Sequence, residues 1–138
     1  MAANSKFAVA THVMLSLAVH PEERKSSEYL AGSVNTNPVV IRRILGELQK
    51  AGLVQCQLGK AGGAQLAKPA EKITLLQIYG ALEDGDLFAF NANEPNKRCS
   101  LSCKMKSILE PIFQSAEEAL AAQLKKIKLS DLVKELKT

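Results

Sequence analysis

Three groups of residues in this 138-residue chain combine type and spacing in ways that could do chemistry. The first is Cys99 and Cys103 in NKRCSLSCKMK, a C-x3-C pair flanked by Lys97, Arg98, Lys104 and Lys106. Cations beside a thiol favour the thiolate, the form that acts as nucleophile, redox centre or metal ligand. The second is the adjacent pair Arg42 and Arg43 in PVVIRRILGELQK. Guanidinium groups on a helix surface can donate paired hydrogen bonds to a guanine edge or a phosphate. The third is LGKAGGAQL, residues 58–66, where Gly59, Lys60, Gly62 and Gly63 crowd into one loop.

A nucleotide-binding P-loop needs lysine after its last glycine and a helix beyond it. Here Lys60 precedes Gly62 and Gly63, and a strand-like segment follows. The dinucleotide pattern G-x-G-x-x-G is absent as well. The loop therefore reads as a hairpin tip, whose glycines permit positive φ and close approach to another backbone. No serine–histidine–aspartate grouping, no paired carboxylates at a plausible site and no complete metal motif point to an enzyme, and no catalytic residue is assigned.

The cysteines leave three readings open: a thiol switch, plain packing of one thiol with the other idle, or part of an iron–sulfur site. Neither a four-cysteine zinc set nor a two-cysteine, two-histidine finger is present, since His12 and His20 lie in or after the first predicted helix. A cluster would need ligands from a carboxylate or a second subunit, so no cofactor is expected and the cluster is the disfavoured reading. Cys56 reads as structural. His12 reads as a satisfied core histidine, and Met14 and Met105 as packing.

The elements that must position these groups follow from periodicity and capping. Residues 5–19 place Phe7, Val9, Ala10, Val13, Met14 and Leu17 near helical spacing. A short second helix spans 26–33. Asn37 as N-cap and Pro38 at the first helical position open a third helix, whose Ile41, Ile44, Leu45 and Leu48 mark one face. Gly52 stops it. LVQCQL and AQLAK then flank the glycine tip as a β-hairpin. Thr74 and Gln77 offer a capping box for a fourth helix. Residues 85–104 lack periodicity. From about Met105 a long stripe of Ile108, Leu109, Ile112, Phe113, Ala116, Leu120 and Leu124 exceeds what a small core covers, which predicts packing on a second subunit. Pro111 either kinks that helix or marks its start. Ser130 is the expected cap of a last short helix.

The fold class is thus mainly α with a small β-hairpin. Three segments are predicted: a winged helix-turn-helix domain over 1–84, a sensing or connecting loop over 85–104, and a dimerisation helix with a C-terminal helix over 105–138. A helix-turn-helix places its second helix in the DNA major groove. Val39, Val40, Arg42, Arg43 and Lys50 would face bases and backbone, with Ser27, Thr36 and Asn37 near phosphates and Gly59, Lys60, Gly62 and Gly63 in the wing. Charge agrees. Residues 42–72 hold six basic side chains against two acidic, and the whole net charge of +4 sits in residues 1–72. A protein-interaction module without DNA binding is the competing reading. No apolar run is long enough to span a membrane and no basic region precedes an N-terminal apolar stretch, which together with the odd cysteine count predicts a reducing cytoplasm.

LQKAGLVQCQLGKAGGAQLAKPAEKITLLQIYGALE resembles the signature of the Rrf-two family of winged-helix regulators. That family includes the iron–sulfur cluster regulator, the nitric-oxide-sensing repressor and the cysteine-metabolism repressor. SSEYLAGSVNTNPVVIRRIL and LFAFNANEPNKRC are similar to its YwnA-like branch. The resemblance implies homodimers that bind a dyad-symmetric double-stranded operator, mostly as repressors, with the long C-terminal helix crossing between subunits. It also makes thiol-based oxidant sensing through Cys99 or Cys103 relevant. Leu58 and Ala64 depart from the arginine and the aromatic residue that similar wings carry, leaving Lys60 to supply the positive charge.

Overall fold

A computed structural model of the chain describes residues 3–82, 88, 90 and 92–137. The chain divides into two compact units, residues 1–83 with 124–138, and residues 84–123. The expected segment 105–138 is therefore split, because its last part packs with the helix-turn-helix.

The first unit contains α1 (Ala3–Val19), α2 (Ser27–Val34), α3 (Pro38–Lys50), β1 (Val54–Gln57), β2 (Gly63–Leu66), a 3-10 turn at Ala70–Lys72, α4 (Leu75–Ala81) and α6 (Leu129–Leu136). Its core is aliphatic: Val13, Met14 and Leu17 of α1, Leu30 of α2, Ile41, Ile44 and Leu48 of α3, and Leu53, Ile73, Ile78 and Leu129 are all fully buried. Local chemistry fixes the element ends. Asn37 Oδ1 accepts from the Val39 N–H at 2.7 Å, Pro38 occupies the first turn of α3, and Gly52 at φ 79° ends it. Asn35 takes the left-handed conformation at φ 66° to close α2, with the Thr36 N–H donating back to Ala31 O. The Thr74–Gln77 capping box opens α4.

Two further arrangements in this unit differ from the pattern-based expectation. His12 is exposed, with Nε2 3.0 Å from Ser33 Oγ, because the buried face of α1 runs through Ala10, Val13, Met14 and Leu17. A nearly all-apolar helix hides its own phase. The cap of α6 is Lys128, one residue before the helix, whose N–H donates to Asp131 Oδ2 at 2.9 Å; Ser130 already lies inside the helix. Backbone bonds Leu75 N–H to Ile127 O and Leu129 N–H to Ile73 O stitch this end of the chain onto the start of α4.

The second unit holds most of α5 (Ser100–Lys125). The helix begins five residues before the apolar stripe suggested. Its first turn is nucleated by hydrogen bonds: the Cys99 N–H donates to Asn96 O, the Ser102 N–H to Cys99 Sγ at 3.5 Å, and the Asn96 N–H to Ser102 Oγ at 2.8 Å. Pro111 lies inside α5. No residue of this 26-residue helix is buried within the single chain. Phe113 stacks on Phe88 with ring centroids 4.9 Å apart and meets Phe90 at 5.3 Å, so its own chain already covers part of it. Within the expected 85–104 loop, residues 85–87, 89 and 91 lie outside the described residues. No described helix is long and apolar enough to cross a membrane.

Candidate nucleic-acid interface

Helix α3 turns Ile41, Ile44, Leu45 and Leu48 inward, which by 3.6-residue periodicity leaves Val39, Arg42, Arg43, Gln49 and Lys50 on exposed positions. Val40 is half-buried against the core. Glu47 is not a solvent position: its Oε1 pairs with Lys6 Nζ at 2.8 Å, tying α1 to α3 across 41 residues of sequence. Recognition helix and first helix are thereby locked together by a pair that is largely shielded from water, where an ion pair is screened less than at the surface.

The two arginines have different surroundings. Arg42 Nη2 lies 2.7 Å from Glu28 Oε1 in the first turn of α2. A hydrogen bond from the backbone N–H of Glu28 itself, and then the Arg42 guanidinium, hold the Glu28 carboxyl below its usual range. The pairing is therefore complete above the ordinary carboxylate pKa and is lost as pH falls through the lowered one. Arg43 makes no hydrogen bond or ion pair with a described residue.

The expected phosphate contacts at the start of α3 meet a physical obstacle. Pro38 has no N–H, Asn37 Oδ1 takes the Val39 N–H, and Asn37 O takes the N–H groups of Val40 and Ile41. The backbone donors that usually seize a phosphate are already used, so Thr36 and Asn37 organise the turn. Ser27 is half-buried, and its hydroxyl sits 3.4 Å from Glu28 Oε2.

The wing is a two-stranded antiparallel hairpin with Val54 opposite Leu66 and Gln57 opposite Gly63. Lys25 adds an isolated bridge to it: its N–H donates to Ala64 O at 3.0 Å, and the Ala64 N–H donates to Lys25 O at 2.8 Å. Only 9% of Lys25 is exposed; its Nζ reaches Glu23 at 3.4 Å and lies over the Tyr29 ring at 4.7 Å. This strap explains Gly63, and the tight hairpin turn explains Gly62. A Cβ on Gly62 would sit 2.0 Å from Gln57 O, and one on Gly63, at φ 130°, would sit 2.7 Å from Lys25 O. The close approach that these glycines permit is thus made to the protein's own backbone. Gly59, at φ 101°, faces open space beside the exposed Lys60 and the almost wholly exposed Leu58. Between α3 and the wing lies a cleft of about 300 Å³, bordered by Ser27, Arg42, Gln49, Cys56 and Gln57. Gln49 Oε1 accepts from the Cys56 N–H at 3.1 Å, bracing the wing against α3. Desolvation against the neighbouring residues pushes the Cys56 thiol up, away from the thiolate, although the residue is exposed.

Sequence reasoning found the exposed face of α3 and the hairpin but missed Glu28, Lys25 and Lys6.

The family model named Rrf2, described as an iron-dependent transcriptional regulator, matches residues 3–135. A Bacillus subtilis protein named as a candidate HTH-type transcriptional regulator, YwnA, is 37% identical over 134 residues, covering 96% of this chain and 98% of that protein. A solved structure of a candidate transcriptional regulator from Lactobacillus plantarum superposes with a TM-score of 0.81 at 27% identity, covering 96% of this chain and 89% of its own. The structure of IscR from T. potens, at 22% identity and a TM-score of 0.71 over 96% of this chain and 85% of its own, shares the fold.

The family description mentions iron. Among the described residues, the only grouping of three candidate ligands is the exposed His20, Glu22 and Glu23, which contains no cysteine. Cys99 Sγ accepts from the Ser102 N–H, and Cys103 Sγ donates to Asn96 O at 3.6 Å. An iron–sulfur cluster needs about four ligands, chiefly thiolates, so two cysteines do not hold one by themselves. A family match over residues 3–135, carried by a helix-turn-helix and wing in the expected order, makes this chain a member of the Rrf2 family, whose members are transcriptional regulators and not enzymes.

Proposed function

We propose that the protein is a cytoplasmic homodimeric repressor that binds a dyad-symmetric DNA operator. The observation that carries this reading is the exposed face of α3, with Arg42 and Arg43 beside a wing whose tip presents Lys60. Two copies of α3 would enter successive major grooves about one helical turn apart. Val39 offers methyl contact to thymine, and Lys50 and Lys60 offer charge to the phosphates. The long unburied α5 supports dimerisation through Ile108, Leu109, Ile112, Ala116 and Leu120. Three free cysteines agree with a reducing compartment. Arg43→Ala or Arg42→Ala is expected to weaken operator binding by about 1–3 kcal/mol, measured by mobility shift on the protein's own promoter region. Unchanged affinity in both variants would remove α3 as the reader.

A redox response belongs to the same proposal. Cys99 sits at the start of α5 and accepts a backbone hydrogen bond there, with Cys103 one turn on. A peroxide that converts the Cys99 thiolate to a sulfenic acid, releasing hydroxide, would replace that acceptor and disturb the first turn. Peroxide is expected to change DNA affinity in the wild type and to leave Cys99→Ser unaffected. An equal response from both would show that Cys99 is not the switch.

A further inference from the structure

We propose that Glu28 is a specificity-determining positioning residue, which holds Arg42 so that its guanidinium meets a base edge and not the nearest phosphate. The proposal rests on the reading of α3 as the DNA reader. Glu28 and Arg42 are 14 residues apart in sequence and on different helices, yet Oε1 and Nη2 meet at 2.7 Å. The other carboxylate oxygen, Oε2, has the Ser27 hydroxyl at 3.4 Å. Both oxygens are therefore engaged, and the carboxylate cannot swing away without breaking a contact.

The electrostatic setting makes this placement informative. The segment 42–72 that holds Arg42 is cationic, and a carboxylate on a DNA-facing surface lowers affinity for every duplex alike. An exposed ion pair adds little to folding stability, so its effect is sought in selectivity. A free arginine on a flexible stem satisfies itself on any phosphate, which carries no sequence information. Engagement of one terminal nitrogen restricts that stem and leaves donors on the guanidinium for the paired contact that reads guanine. Arg43, with no such partner among the described residues, is free to take phosphate. Two neighbouring arginines thereby acquire separate tasks from one carboxylate. Lys25 does not compete for it, because its Nζ is turned to Glu23 and the Tyr29 ring.

The test uses four full-length proteins: wild type, Glu28→Gln, Arg42→Ala and the double variant. Each is titrated with the duplex that wild type selects from a randomised pool and with a random duplex of equal length. Glu28→Gln is expected to lower the ratio of selected to random affinity about tenfold. Most of the change should come from tighter random binding, with a salt dependence steeper by about one counterion. In the Arg42→Ala background the same substitution should raise both affinities equally and leave the ratio where it was. An unchanged ratio in the presence of Arg42 overturns the proposal, and so does an equal fall with Arg42 absent, which would mark Glu28 as a bare charge. Failure of wild type to enrich any duplex overturns the underlying DNA reading and the proposal with it.

Discussion

Replacing Ile112 with glutamate is expected to turn the proposed dimer into a folded monomer that no longer holds its operator tightly. Ile112 is 57% exposed and Ile108, one turn earlier, is 48% exposed. Leu109, Ala116 and Leu120 continue the stripe as half-buried side chains. An isolated chain would leave this surface in water, and contiguous apolar patches of that kind mark interaction sites. Because Ile112 makes no core contact in the single chain, a glutamate there costs the monomer fold little. In a symmetric interface the same change buries two carboxylates without partners. The expected penalty is at least about 3 kcal/mol, or more than about a hundredfold in dimer dissociation. Sedimentation would report the mass, and circular dichroism would show that α5 persists. A variant that stays dimeric would show that α5 is not the interface. Loss of the dimer should also lower operator affinity well beyond the effect of either arginine, since two half-sites would then be bound independently.

The wing glycines carry the second large effect. Gly62→Ala would force a Cβ to within 2.0 Å of the Gln57 carbonyl, which belongs to the hairpin's own backbone. Gly63→Ala would press on Lys25 O at 2.7 Å while holding a left-handed φ of 130°. Backbone cannot yield as a flexible side-chain end can. Each substitution is expected to cost about 2–4 kcal/mol of local stability and to detach the wing from the Lys25 strap. Operator affinity should fall by about ten- to a hundredfold as the wing contacts are lost. Gly59→Ala is the internal control: it meets only open space, so its cost is limited to about 1–2 kcal/mol of left-handed strain. Amide hydrogen exchange at Ala64, whose N–H donates to Lys25 O, would follow the strap directly. Equal behaviour of all three variants would contradict this account.

The roles of Gly62 and Gly63 show where a sequence reading stops. Their identity announced a place where backbone comes close to something, and a wing tip suggested a minor groove. The partner of Gly63 is Lys25 O, nearly 40 residues away, and no local pattern names it, whereas Gly62 meets Gln57 O of its own hairpin. Arg42 gives the same lesson, since its type and exposure were legible but its tether to Glu28 was not. The start of α5 was misplaced because an apolar stripe reports which face is covered, whereas the first turn here is built by Asn96, Cys99 and Ser102 hydrogen bonds.

The sequence by itself determined what short-range chemistry can determine. Asn37 with Pro38, Gly52, and Thr74 with Gln77 placed the helix ends, and helical periodicity fixed the buried face of α3 and with it the exposure of Arg42 and Arg43. Those features depend on residues within one or two turns of one another, so their spacing encodes them. Tertiary structure alone decided that α6 packs with the helix-turn-helix, that Lys6 anchors the recognition helix through Glu47, that Lys25 straps the wing, and that Glu28 holds Arg42. Each of these joins groups 14 to more than 40 residues apart, and such meetings are set by how the aliphatic core brings the elements together.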